Sequence, residues 1–153
     1  MQVADFLQPE NVIVDLVAPS KLRVLQIVSE KAAAALGIDE TLILQALQSR
    51  EKLGSTGIGE GIAIPHTRIP GITKPFSLLA RLSKSVEFES IDDVPVDLVF
   101  VLLLPVNSAD HLNTLACSAR QLRAPDILRK LRQAKGAPQL FAAITAEAPA
   151  MAR

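Results

Sequence analysis

Apolar positions recur along this chain in two rhythms, one helical and one extended. Between Ser20 and Gly37 the rhythm is helical: Leu22, Leu25, Val28, Ala32, Ala35 and Leu36 form one stripe, with Ser20 as N-cap and Gly37 as the closing residue. Asp39 caps a second helix, roughly Glu40 to Glu51, striped by Ile43, Ala46 and Leu47. Arg50 falls on the same side at its end, where a cation suits the helix dipole. Short extended runs then follow. Gly61–Pro65, Phe76–Leu82 and Val86–Phe88 read as strands, as does Val12–Leu16 near the start, while Thr67–Pro75, with I-P-G-I-T-K-P, reads as a loop. Asp97–Leu104 is the clearest strand. Its V-F-V-L-L-L run has no polar alternation, so both its faces are expected to be buried, and Pro105 ends it.

The helical rhythm returns after that strand. Asn107 or Ser108 caps a helix carrying Leu112, Leu115, Ala116, Ala119 and Leu122 on one face, and Pro125 opens another at its first turn. Gly136 and Pro138 set off a last short helix through Leu140 to Ile144. Helices alternate with strands and the main strand is buried, which gives an α/β fold in three layers around a mostly internal sheet. No repeat or linker divides the chain, so one domain over 1–147 is expected, with 148–153 as a frayed tail.

Composition narrows the function classes. Lys+Arg and Asp+Glu number 16 each, and there is no Trp or Tyr, so the chain lacks the basic footprint and the stacking residues of a nucleic-acid binder. Cys117 is the only cysteine; it falls in a helix and reads as a small buried residue. No Cys/His cluster has metal-ligand spacing. The opening M-Q-V-A-D-F-L-Q-P-E lacks the pattern of a signal peptide, and the longest apolar run, Leu98–Val106, is too short to cross a membrane. A cytoplasmic protein without membrane insertion is the expectation. The basic residues Arg120, Arg123, Arg129, Lys130, Arg132 and Lys135 read as solvated helix faces.

The candidate chemistry lies in Arg50–His66, R-E-K-L-G-S-T-G-I-G-E-G-I-A-I-P-H. Gly54, Gly57, Gly59 and Gly61 free the backbone to turn tightly and present N–H groups, and Ser55 and Thr56 add hydroxyls. Gly54–Gly59 has the outer spacing of a P-loop, but Glu60 and Gly61 stand where Lys and Ser/Thr are required. G-I-G-E-G also fails the dinucleotide pattern and follows a helix instead of a strand. The loop leads through an apolar strand and Pro65 to His66, one of two histidines, placed where α/β sheets gather reactive groups. His111 falls in the first turn of the helix after the buried strand, where a neutral imidazole can donate to a phosphoryl oxygen. Arg50, His66 and His111 together would make a phosphate pocket of cation, nucleophile and neutral donor. A hydrolase built from Ser55, His66 and Asp97 is weaker, for no G-x-S-x-G elbow is present.

The Arg50–His66 block resembles the active-site signature of enzyme IIA of the fructose/mannitol type, from the phosphoenolpyruvate-dependent phosphotransferase system, and is most similar to its nitrogen-regulatory branch. D-D-V-P-V-D-L-V-F-V-L-L-L-P followed by H-L-N-T-L resembles that branch's second block. The likeness runs from about Val3 to Glu147. It implies a mixed β-sheet flanked by helices, His66 as the phosphorylated histidine, His111 as the supporting histidine and Arg50 as the active-site arginine, with Ser55, Thr56 and Gly57 supplying phosphate-binding donors. It implies no metal and no organic cofactor. The implied donor is an HPr-like phosphocarrier, and the targets are regulated proteins. Two alternatives stand beside this: a sugar-transport enzyme IIA that passes phosphate to a IIB domain, and a binding module that does not transfer. One residue departs from the family pattern, Thr67 directly after the histidine, where Gly, Ala or Cys is usual.

Overall fold

The computed structural model describes residues 1–147; the stretch expected to be a tail, 148–153, lies outside the described residues. Two short 3₁₀ turns, Val3–Asp5 and Pro9–Asn11, lead into β1 (Val12–Leu16), α1 (Lys21–Leu36) and α2 (Glu40–Lys52). Three short strands follow: β2 (Gly57–Gly59), β3 (Ile62–Ala63) and β4 (His66–Ile69). The two long strands β5 (Phe76–Val86) and β6 (Val96–Pro105) precede α3 (His111–Arg123), α4 (Pro125–Gln133) and α5 (Ala137–Thr145).

The strands form one mixed sheet in the order β1-β5-β6-β3-β2, with β4 also paired to β6. β5 and β6 are antiparallel, while β1 runs parallel to β5, and β3 and β4 both run parallel to β6. β6 is the spine. Leu98 to Leu104 are all 0% exposed, as a run without polar alternation requires. Along it Leu98, Phe100 and Leu102 face the core covered by the N-terminal turns and α3–α5, while Val99, Val101 and Leu103 face the core under α1 and α2. This is the expected three-layer α/β sandwich.

Several local expectations are corrected. Thr67–Pro75 is not all loop, since Thr67–Ile69 belong to β4 and pair with Leu103–Pro105. The strand expected at Gly61–Pro65 is reduced to Ile62–Ala63, and the glycine loop contributes Gly57–Gly59 to a hairpin with it. Val86 ends β5 instead of starting a new strand, and Pro105 is the last residue of β6 instead of its stop. The buried face of α1 is Val24, Leu25, Val28, Ser29 and Ala32; Leu22 and Ala35 stay exposed.

In α3 the N-cap is Asp110, not Asn107 or Ser108, and the buried face is Thr114, Cys117, Ser118 and Leu122, leaving Leu112 and Ala116 exposed. Small residues let α3 approach the sheet. Their hydroxyls are satisfied within the helix, Thr114 Oγ1 donating to the Asp110 carbonyl at 2.9 Å and Ser118 Oγ to that of Thr114 at 2.8 Å. Cys117 is buried as expected. Among the described residues, no helix is long and apolar enough to span a membrane.

Candidate active site

His66 stands at a break between two short strands that share the neighbour β6. β3 pairs with Leu98 and Val99; β4 resumes opposite Leu102, the register partner of His66. Ile64 and Pro65 bridge the gap. The Ile64 N–H donates to the Thr56 carbonyl at 3.0 Å, and the Leu102 N–H donates to the Pro65 carbonyl at 2.9 Å. His66 therefore begins a strand instead of following one, because β6 pairs with the chain on both sides of Pro65. Proline lacks an N–H, and a break in the ladder accommodates it.

His66 is half-buried, and its Nδ1 lies 2.7 Å from the Ile64 carbonyl oxygen. A carbonyl can only accept, so Nδ1 carries the proton and Nε2 keeps its lone pair. Burial lowers the imidazole's pKa below its ordinary value; the Ile64 hydrogen bond opposes this, Arg50 and His111 reinforce it, and Glu51 opposes it. The neutral form, with a free Nε2, is the form held at neutral pH.

His111 is the first residue of α3, and its ring centroid lies 6.4 Å from that of His66 with the planes inclined at 50°. Its Nδ1 is buried and has no hydrogen-bond partner among the described residues. An orphaned N–H there would be costly, so in the neutral ring the proton belongs on Nε2. The two rings thus hold opposite tautomers, one presenting a lone pair and the other a donor. Arg50, in the last turn of α2, donates from Nη1 to the Gly54 carbonyl at 3.0 Å, which anchors the guanidinium at the mouth of the glycine loop. Its charge is felt at His66.

The three loop residues expected to bind phosphate are engaged elsewhere. Thr56 is 3% exposed, and its N–H and hydroxyl both donate to the Glu51 carboxylate, at 2.8 and 2.6 Å. The Ser55 hydroxyl donates to the Phe88 carbonyl at 2.5 Å and accepts from the Gly57 N–H at 3.0 Å. In the fold these groups brace the loop itself. The Ser55–His66–Asp97 alternative also dissolves, for Asp97 pairs with Arg132 at 3.0 Å. Arg132 also reaches the Glu60 carbonyl, and Arg123 donates to the Ile58 carbonyl at 2.9 Å. These two clamp the β2–β3 hairpin, so they are not merely solvated charges. Thr67 lies in β4 opposite Leu103, where extended backbone suits a β-branched residue. Among the described residues no group of three His, Cys, Asp or Glu side chains is placed to hold a metal ion.

The family described as phosphoenolpyruvate-dependent sugar phosphotransferase system, EIIA 2, matches residues 5–147. The chain belongs to this family. A nitrogen regulatory protein from Bradyrhizobium diazoefficiens is 44% identical over 145 residues, covering 94% of this chain and 95% of that protein. Among solved structures, the nitrogen regulatory protein IIA-Ntr of Neisseria meningitidis superposes with a TM-score of 0.88 at 30% identity, covering 94% of this chain and 99% of that one. Enzyme IIA of the mannitol system from Escherichia coli, solved in complex with phosphorylated enzyme IIB, shares the fold, with a TM-score of 0.76 at 18% identity over 93% of this chain and 100% of that one. This EIIA chain is therefore similar over nearly its whole length to nitrogen regulatory proteins, and it has their fold.

Proposed function

We propose that this EIIA chain accepts a phosphoryl group on His66 Nε2 from an HPr-like phosphocarrier, and that its phosphorylation state controls partner proteins. The observation that carries the reading is the hydrogen bond from His66 Nδ1 to the Ile64 carbonyl, which leaves Nε2 as a lone pair on a neutral ring. That lone pair attacks the phosphorus of the donor phosphohistidine. The new N–P bond forms as the donor's N–P bond breaks, and the donor imidazole leaves with the electron pair. His66 becomes positively charged as it takes the phosphoryl group, and the Ile64 carbonyl on Nδ1–H stabilises that charge. His111 Nε2–H and the Arg50 guanidinium are the groups for the phosphoryl oxygens. Such transfer depends on positioning and charge more than on acid–base exchange, and the step balances with the donor alone.

The test is incubation with phosphoenolpyruvate, enzyme I and an HPr-like carrier, followed by intact mass. The expected result is an acid-labile gain of one phosphoryl group that His66→Ala abolishes and His111→Ala slows. Uptake by the His66→Ala protein would overturn the assignment. A second reading, transfer onward to a IIB domain, is favoured by the shared fold with the mannitol IIA that was solved with phosphorylated IIB. Loss of the phosphoryl group when a fructose- or mannitol-type IIB is added would support it.

A further inference from the structure

One buried charge near the site is unused by the step above. Glu51 lies in the last turn of α2, where the helix dipole disfavours a carboxylate, yet its side chain is only 6% exposed. It is held by three donors. The Thr56 N–H and the Lys21 ammonium meet Oε2, the latter at 2.7 Å, and the Thr56 hydroxyl meets Oε1. Lys21, the first residue of α1, also donates to the Phe88 carbonyl at 3.4 Å and sits 5.2 Å from the centre of the Phe88 ring. The Phe88 carbonyl in turn accepts from Ser55. A largely buried ion pair with both carboxylate oxygens engaged fixes geometry at the expense of desolvation.

The bonds from Glu51 lead to the reactive ring in three steps. Glu51 holds Thr56; the Thr56 carbonyl accepts from the Ile64 N–H; the Ile64 carbonyl accepts from His66 Nδ1. We infer that Glu51, braced by Lys21, is a positioning residue that sets the Ile64 carbonyl and thereby holds His66 in its Nδ1-protonated tautomer. This rests on the reading of His66 as phosphoryl acceptor, but the tautomer can be measured without any transfer.

The experiment is Glu51→Gln in the full chain. An amide of the same size has one acceptor oxygen for three donors and brings its own N–H₂ against them. The ¹⁵N spectrum of labelled histidine reads the His66 tautomer, and steady-state phosphorylation reads kcat and KM for the carrier. Wild type is expected to show Nδ1–H alone. Glu51→Gln is expected to show both tautomers, with kcat reduced by roughly ten- to a hundred-fold, the scale of a small misplacement, and carrier KM unchanged. Thr56→Val removes only the hydroxyl and should move both readouts in the same direction by less, with Thr56→Ser recovering them. Thr56→Val also decides the matter if Glu51→Gln fails to fold. Folded variants that melt earlier but keep the wild-type tautomer and kcat would overturn the inference. If wild type takes up no phosphoryl group, the acceptor reading fails while the tautomer comparison still decides the role of Glu51.

Discussion

In the proposed transfer a neutral imidazole is the reactive form of His66, and burial keeps it neutral below the pH at which a free histidine charges. Phosphoryl uptake should therefore stay level on acidification past about 6.5, the ordinary imidazole value, and decline only at lower pH. A pH–rate profile that already falls near that ordinary value would contradict the shift. Stability carries the same signature. Below about pH 6.5 the unfolded chain binds a proton at this position that the folded chain resists, so stability falls as pH drops toward the folded value. Melting temperatures across that window should decline more steeply for wild type than for His66→Gln. At this scale Arg50, His66 and His111 stand out in the sequence by type and placement, and the fold brings them near one another. The sequence was not informative about hydrogen-bond partners. Ser55 and Thr56 look like free donors in the chain and are spent on Phe88 and Glu51 in the fold. The one clue to Glu51 was an acid at the wrong end of a helix.

The glycine-rich segment is a hairpin held at close quarters, and its glycines answer to named neighbours. A Cβ on Gly57 would collide with the Ser90 hydroxyl and come within 3.1 Å of the Ser90 backbone, while Gly61, at φ +80°, would meet Asp97 Oδ1 at 2.9 Å. Gly57→Ala should destabilise by about 1–3 kcal/mol through overpacking, which lowers Tm by roughly 2–4 °C per kcal/mol in a chain of this size. Adding Ser90→Gly should recover part of it. An unchanged Tm for Gly57→Ala would show that the loop is looser than described. Long elements with strong periodicity, α1, α2, β5 and β6, were legible in the chain. β2 and β4 were not, because G-I-G and H-T-R-I have little strand propensity, and pairing with β3 and β6 makes them strands. The face of α3 was misjudged for a related reason: Thr and Ser count as polar in a pattern, yet their hydroxyls bond back into the helix and are buried.

For the whole molecule, the sandwich brings the end of α2 from one face of the sheet, the start of α3 from the other and the β3–β4 break between them to one end of the sheet, so that residues from three elements converge on one ring. Two exposed apolar side chains adjoin these ends: Leu53, 84% exposed, caps α2, and Leu112, 73% exposed, follows His111. Apolar side chains beside a transfer site suit a docked protein carrier. Leu112→Glu should raise the carrier KM several-fold and leave kcat and Tm unchanged, the opposite split from Glu51→Gln; an unchanged KM would place the docking surface elsewhere. The overall architecture and the resemblance were both readable from the chain, since the two signature blocks span the residues that the fold brings together.

The central claim is that the phosphoryl group is carried by His66 on Nε2, and ¹⁵N-histidine spectra of the phosphorylated protein test it most directly. The account predicts that His66 Nε2 alone moves to the position of a phosphorylated nitrogen, that Nδ1 keeps its proton, and that His111 keeps the pattern of a free ring. A phosphorylated Nδ1 on His66, or a phosphoryl group on His111, would contradict it.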